Sequence, residues 1–171
     1  LVESGVGDEG ETPVAGALNG LVRRVVSGGG VAEQWVFLGS SSGKGGQQVE
    51  QLSPGGNSGR FEQTLQIIRD AKALCDTQGK SYSVWAMHWY QGENNYSATA
   101  SDRDAFDYQQ RWLTKLWQTM QAEILRITGQ QFLPYLFTYQ VAAHRRYAQD
   151  HIQIALAQWR ASKAYDDVVL T

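Results

Sequence analysis

The sequence predicts an α/β domain built around a parallel sheet, and three observations lead to this prediction. Segments whose apolar residues recur at helical spacing alternate with short runs rich in aromatic and β-branched residues. The glycines, 18 against only 3 prolines, gather at the ends of these segments, where tight turns need them. With 171 residues, 42% of them hydrophobic, the chain can bury one core. We therefore expect a single domain over residues 1–171, with helices on both faces of the sheet.

The N-terminal part of the chain predicts one helix and one strand. Thr12 and Pro13 are typical of a helix start, and an apolar face follows as far as Val25, before the glycines at 28–30 end the helix. Residues 34–38 form a short apolar run that leads into a loop of glycine and serine. Such a run predicts a buried strand.

The middle of the chain predicts a second helix and a central strand. Apolar residues recur at helical spacing from Phe61 to about Gln78, and Gly79 supplies the stop. Cys75 lies on the apolar face of this helix and is expected in the core. Residues 82–90 are rich in aromatic and β-compatible side chains, so they predict a central strand.

The C-terminal half begins with a predicted loop, because residues 94–104 are polar and show no periodicity. A long helix follows, with Asp102 or Asp104 as its cap and Gly129 as its end. Its predicted inner face consists of Trp112, Leu113, Leu116, Trp117, Met120, Ile124 and Ile127. The remaining predicted elements are a strand over 132–139, a helix from 147 to about 162 and a strand over 168–170.

Charge and cysteine content argue against several classes of function. The net charge is −2, from 15 basic and 17 acidic residues with no run of like charges, so we expect no nucleic-acid or membrane-surface partner. No apolar stretch approaches the roughly 18 residues of a membrane span. The single Cys75 excludes a disulfide framework and the multi-cysteine zinc patterns. No His, Asp or Glu spacing completes a metal site, so we expect neither metal nor cofactor.

The loops after the predicted strands are the first candidates for a site. Ligands of open parallel sheets bind beyond the carboxyl ends of the strands, so the loops after Leu38, Tyr90 and Tyr139 are expected to share one rim. Residues 39–44 resemble a phosphate-binding loop, but three residues instead of four separate the glycines, and Gly45 stands where Ser or Thr is required. These differences disfavour a nucleotide binder.

Two segments carry the motifs of a known family. Residues 89–94 read Trp-Tyr-Gln-Gly-Glu-Asn, and residues 45–52 read Gly-Gly-Gln-Gln-Val-Glu-Gln-Leu. Together they resemble the W-x-Q-G-E and G-G-x-x-I/V-x-x-W/L segments of the sialate O-acetylesterase branch of the SGNH hydrolases, in the same order. The resemblance covers about residues 10–171. It implies a flavodoxin-like α/β/α sandwich that removes O-acetyl groups from a sugar or polysaccharide, with acetylated carbohydrate as the partner and no cofactor.

The resemblance also implies roles for individual residues. Gln91 would be the side-chain donor of the oxyanion hole, and Gly45 or Gly46 would supply the backbone donor. An ester attacked by an alkoxide develops negative charge on oxygen, and a carboxamide stabilises it without adding a titratable group. A glycine allows a backbone N–H to approach the substrate closely. The residues implied to bind substrate at the rim are Tyr90, Glu93 and Asn94.

The chain departs from the family at both catalytic positions. The family's nucleophile lies in a G-x-S segment at the end of the first strand, ahead of the elements predicted here. Residues 1–12 contain no such segment. The family's base lies in a D-x-x-H segment, and no Asp stands three residues before His88, His144 or His151. We expect His88 to be packed or hydrogen-bonded in its strand, and His144 and His151 to lie on a solvated helix face. We therefore expect the chain to be the central part of such a domain, with the oxyanion hole and substrate rim, and to be inactive alone. The serines at 40–42 are an alternative nucleophile, but no base stands at a matching spacing.

A function from another class is the alternative to the esterase. It is a catalytically silent domain on the same fold that binds glycans or holds an assembly together, for example in a phage tail protein. G-x-S and D-x-x-H segments in flanking sequence would favour the esterase, and their absence would favour the silent domain. Similarity to domains of secreted and phage tail proteins implies an extracellular, secreted or virion-associated location. The sequence is also compatible with a homo-oligomer.

Overall fold

The computed structural model describes residues 20–29 apart from residue 22, residues 35–97 and 108–143, residue 146, and residues 152–171. The chain divides into two compact units, Leu1–Gly45 and Gly46–Thr171. The single domain expected over residues 1–171 stays a prediction.

The first unit contains a helical segment, α1, over residues 20–27 apart from residue 22. Its end agrees with the prediction, because Gly28 N–H donates to Arg24 O at 3.0 Å and Gly29 turns the chain with a φ of 82°. The predicted start at Thr12 and Pro13 lies outside the described residues.

The strand predicted over residues 34–38 is wrong for the part that the structure describes. Residues 35–44 form neither strand nor helix. Within the described ranges the sheet consists of three later strands. A local preference for extended backbone does not make a strand unless a neighbouring strand completes the hydrogen-bond ladder.

The second unit is organised by a three-stranded parallel sheet with the order β1-β2-β3, which confirms an α/β chain with parallel strands. Its strands are β1 (Ala86–Trp89), β2 (Tyr135–Thr138) and β3 (Val168–Leu170). Met87 pairs with Leu136, and Leu136 pairs with Val168, so these three residues share one face. The parallel register brings the carboxyl ends of the strands, at Trp89, Thr138 and Leu170, to one edge.

β1 begins four residues later than predicted, because the side chain of Gln130 forms hydrogen bonds with the backbone of the segment before it. Gln130 Oε1 accepts the N–H of Val84 at 2.8 Å, and Gln130 Nε2 donates to Val84 O at 3.0 Å. These bonds satisfy the groups that a longer β1 would have offered to β2. β2 likewise covers only four of the eight residues in its predicted range of 132–139.

The helices that the structure describes in the second unit are α2 (Val49–Leu52), α3 (Arg60–Thr77), α4 (Glu93–Ser97), α5 (Gln110–Trp117 continued by Gln118–Thr128) and α6 (Gln153–Ala164). α3 confirms the predicted second helix, with Phe61, Leu65 and Ile68 as its buried residues. Cys75 is only partly buried, because the last turns of α3 extend past the core. α4 occupies residues that were expected to be a loop, since a five-residue polar helix leaves no periodicity to detect. Residues 98–104 of that loop and 147–151 of the fourth predicted helix lie outside the described residues.

α5 is the long helix that was predicted, and its first part is a π-helix. It is π-helical over Gln110–Trp117 and α-helical over Gln118–Thr128, and Gly129 ends it with a φ of 73°. Gln118 N–H donates to Leu113 O, five residues back, which widens the turn. The wider turn buries two apolar pairs, Trp112 with Leu113 and Leu116 with Trp117. The start that Asp102 or Asp104 was expected to cap lies outside the described residues.

The core lies on one face of the sheet. Trp89, Leu136 and Val168 are buried on this face, while His88 and Tyr135, which point the other way, are exposed. α6 packs against β3, and α3 packs against the α-helical part of α5. The sequence predicted helices on both faces of the sheet. Among the described residues of this unit, only one face is covered. None of the helices in the described ranges combines the length and apolar character needed to cross a bilayer.

Candidate functional site

The carboxyl edge of β1 leads into the turn of Gln91 and Gly92. Gly92 has a φ of 148°, a value that favours glycine. A Cβ added there would lie 3.1 Å from both Ile154 Cγ2 and Val141 Cγ1. The turn is thus packed on α6 and the segment after β2, and it holds Gln91 in one position.

The Gln91 side chain is buried, with 7% exposure, and each polar atom has a partner. Its Nε2 donates to Gln47 O at 3.1 Å and to Asn95 Oδ1 at 2.5 Å. Its Oε1 accepts the Tyr108 hydroxyl at 2.9 Å. The carboxamide therefore joins three parts of the chain: the segment before α2, α4 and the start of α5.

The orientation of the Asn95 amide follows from groups with a single hydrogen-bonding role. Val49 N–H, which can only donate, faces Asn95 Oδ1 at 3.0 Å. Asn95 Nδ2 donates to Glu50 Oε2 at 3.2 Å, and a carboxylate oxygen can only accept. These two contacts identify which Asn95 atom is oxygen. Because Asn95 Oδ1 then requires a donor, the atom of Gln91 that faces it is nitrogen.

Tyr108 fixes the other end of the Gln91 carboxamide. Trp89 Nε1, which is a donor only, lies 3.4 Å from the Tyr108 oxygen. The Tyr108 proton therefore points to Gln91, where the hydroxyl lies 2.9 Å from Oε1 and 3.1 Å from the backbone oxygen. Burial raises the pKa of Tyr108 far above its usual value, so the hydroxyl keeps its proton.

The backbone of Gln91 is held separately, from α6. Gln158 Nε2 donates to Gln91 O at 2.9 Å, and Gln158 Oε1 accepts the N–H of Val141 at 2.8 Å. Gln158 is fully buried. α6 therefore positions the main chain of the turn, while Tyr108 and Asn95 position the side chain.

The glycine segment lies beside this network. Asn94 Nδ2 donates to Gly46 O at 2.8 Å, and Gln91 bonds the next carbonyl, that of Gln47. Gly46 has a φ of 69°, which favours glycine. The structure thus brings Gln91, Asn94 and Gly46 together. Gly45 belongs to the first unit, and its role stays a prediction.

Aromatic and acidic groups form an exposed rim next to Gln91. Tyr90 is 52% exposed, and its ring centroid lies 5.5 Å from that of Tyr139. The Tyr139 hydroxyl donates to Glu93, which is also exposed. On the other side of Tyr90, the His88 ring stacks with it at 6.0 Å and with Phe137 at 5.3 Å. The predicted rim residues Tyr90 and Glu93 therefore face solvent, whereas Gln91 lies beneath them.

Several residues of the network were not singled out from the sequence. Glu50 lies within the 45–52 segment and Asn95 directly follows the 89–94 segment, so their positions in or beside the motifs were available as signals. Tyr108 and Gln158 lie 17 and 67 residues after Gln91 on separate helices, and no local pattern marks them. Only tertiary packing brings them to Gln91.

Metal ligands and cavities elsewhere in the described ranges do not add to this site. No group of three His, Cys, Asp or Glu side chains there is placed to hold a metal ion. A cavity of about 190 Å³ is lined partly by Trp117, Leu133, Tyr165 and Asp167. Because Leu133 and Asp167 precede β2 and β3, this cavity lies at the amino edge of the sheet, away from Gln91.

Comparisons of the chain with models of known protein families, with curated proteins and with solved structures found no match.

Proposed function

We propose that the chain is the oxyanion-hole and substrate-rim part of a carbohydrate O-acetylesterase, on a flavodoxin-like three-layer α/β/α fold of the SGNH type. The observation that supports this most is the fixed orientation of the Gln91 carboxamide. Its nitrogen is directed at the segment that follows the two glycines, and its oxygen is directed at Tyr108. A donor fixed before the reaction is what an oxyanion hole requires.

The proposed reaction uses a serine and a histidine from outside residues 1–171. The serine oxygen attacks the acetyl carbon while its proton passes to the histidine, and the carbonyl oxygen becomes negative. One Gln91 N–H and a backbone N–H of Gly45 or Gly46 stabilise that oxygen. The bond to the sugar oxygen then breaks, this oxygen takes the proton from the histidine, and water releases acetate from the acyl-serine. In this mechanism the hydrogen bond from Gln91 Nε2 to Gln47 O breaks when substrate enters, and that N–H then bonds the substrate oxygen.

The rim supplies the proposed contacts to the sugar. The exposed ring of Tyr90 offers an apolar face, and Glu93 and Asn94 offer polar atoms beside it. Such a pairing suits a carbohydrate, which presents both C–H faces and hydroxyl groups. A polysaccharide substrate would place the protein outside the cell or on a virion.

A catalytically silent glycan-binding or structural domain is the second candidate. It is favoured by one observation: Gln91 Nε2 already donates to two acceptors inside the protein, Gln47 O and Asn95 Oδ1. In this alternative the carboxamide only ties the turn to α2 and α4. The rim would then bind glycan without chemistry.

Acetate release distinguishes the two functions. We expect the full-length protein to release acetate from an O-acetylated oligosaccharide, and the 171-residue chain to show no hydrolysis of p-nitrophenyl acetate above background. A full-length protein that binds the oligosaccharide without releasing acetate would support the silent domain. Turnover by the 171-residue chain, blocked by a phosphonate that labels a serine at 40–42, would overturn the proposed division of the site.

A further inference from the structure

Tyr108 is the buried hydroxyl group closest to the proposed oxyanion donor. It lies just before the π-helical part of α5, and its ring packs against Trp112 with centroids 5.8 Å apart. Its side chain is buried, so water does not compete for the hydroxyl. The only polar side chain to which its proton is directed is that of Gln91, within the described residues.

The hydrogen bonds from Tyr108 onward all run in one direction. Tyr108 donates to Gln91, Gln91 donates to Asn95, and Asn95 donates to the Glu50 carboxylate. In such a chain each bond strengthens the next, because an amide that accepts at its oxygen becomes a better donor at its nitrogen. The same effect applies to the second Gln91 N–H, which points at Gln47 O.

We propose that Tyr108 is a positioning residue that restrains the oxygen end of the Gln91 carboxamide and raises the donor strength of its nitrogen; this inference rests on the proposed function. Without the Tyr108 hydroxyl, Gln91 Oε1 would lose its donor in a buried place. Gln47 O and Asn95 Oδ1 would still hold the nitrogen, but the carboxamide would be restrained at that end alone and its N–H groups would be weaker donors. Tyr108 itself touches no substrate in this role.

The first test uses the 171-residue chain and Tyr108→Phe, which keeps the ring and removes the hydroxyl. We expect the side-chain N–H₂ resonances of Gln91, assigned by their loss in Gln91→Met, to shift in the NMR spectrum of Tyr108→Phe. The matched control is Tyr96→Phe, which removes another buried hydroxyl, one that accepts the N–H of Ala155 on α6 at 3.1 Å. Unchanged Gln91 resonances in folded Tyr108→Phe would overturn the inference.

The second test uses acetate release by the full-length protein. Tyr108→Phe should lower kcat by roughly two- to twelvefold, the equivalent of one hydrogen bond, with KM little changed. Tyr96→Phe should leave kcat of the folded fraction unchanged. An unchanged kcat in Tyr108→Phe, where Gln91→Ala lowers it, would overturn the inference. Absence of acetate release by the wild-type protein would instead refute the proposed function, and the NMR result would still decide whether Tyr108 positions Gln91.

Discussion

Asn95 shows how a single amide can determine the geometry of a site. Its side chain is 3% exposed and bonds to Val49, Glu50 and Gln91, so it connects the glycine segment with the turn after β1. Each partner has a hydrogen-bonding role that only the amide orientation described above can meet. The position of the proposed oxyanion donor therefore depends on a residue outside the recognised motifs.

Replacing Asn95 by Asp tests this connection. The substitution keeps the shape, but it places a second carboxylate oxygen against Glu50 where an N–H₂ group was. We expect Asn95→Asp to lower the free energy of unfolding by roughly 1–3 kcal/mol, the usual cost of leaving a buried polar group without its partner. Asn57→Asp is the control, because Asn57 is exposed. Equal unfolding midpoints in urea for the two variants would contradict the role of Asn95.

His88 makes the stability of the second unit depend on pH. Its ring stacks between Tyr90 and Phe137, and this partial burial lowers its pKa below the usual 6.5. The folded state then binds the proton less tightly than the unfolded state. The stability associated with neutral His88 is therefore complete above about pH 6.5 and falls as the pH drops from there towards the lower folded-state pKa.

The measurement is the melting temperature of the wild-type chain and of His88→Gln at about pH 8 and about pH 5. Both melting temperatures fall on acidification through the other titratable groups, so the difference between the two decreases reports on His88. We expect the smaller decrease in melting temperature in His88→Gln. Equal decreases would show that the stacked position does not disfavour the charged ring.

Among the elements, those with a strong internal pattern were predictable from the sequence. α3 and α5 have apolar residues at regular spacing and glycines at their ends, and both were placed correctly wherever the structure describes them. The run at 34–38 has the composition of a strand, but composition contains no information about a partner. The π-helical turn of α5 was also beyond prediction, since buried apolar pairs fit an α-helical face nearly as well.

The two glycines in the turn after α2, Gly55 and Gly56, provide a test of how this turn packs. A Cβ on Gly56 would overlap Gln51 O and lie 2.6 Å from Glu50 O, so the backbone beside the proposed site would have to move. Gly55 has a φ of 74° and open space around it, so an alanine there meets only the backbone strain, about 1–2 kcal/mol. We expect Gly56→Ala to lower the melting temperature more than Gly55→Ala. The reverse order would contradict the packing of this turn.

For the molecule as a whole, the sheet explains why the site was partly predictable. Parallel strands bring their carboxyl ends to one edge, so the W-x-Q-G-E motif after β1 had to lie there once the strands were identified. The contact between this motif and the glycine segment spans more than 40 residues, and the resemblance of both segments to one family anticipated it. Tyr108 and Gln158 were not predictable, because packing of α5 and α6 determines where their side chains lie.

The proposed role of Gln91 as an oxyanion donor is tested by kcat for acetate release. In the full-length protein, Gln91→Ala should lower kcat by about 10²- to 10³-fold with little change in KM, because the lost bond is made mainly in the transition state. The control is Gln131→Ala, which removes an exposed glutamine that bonds only Gly129 O among the described residues and should leave kcat unchanged. A folded Gln91→Ala protein with wild-type kcat and a lowered melting temperature would contradict the proposed role and leave Gln91 a purely structural one.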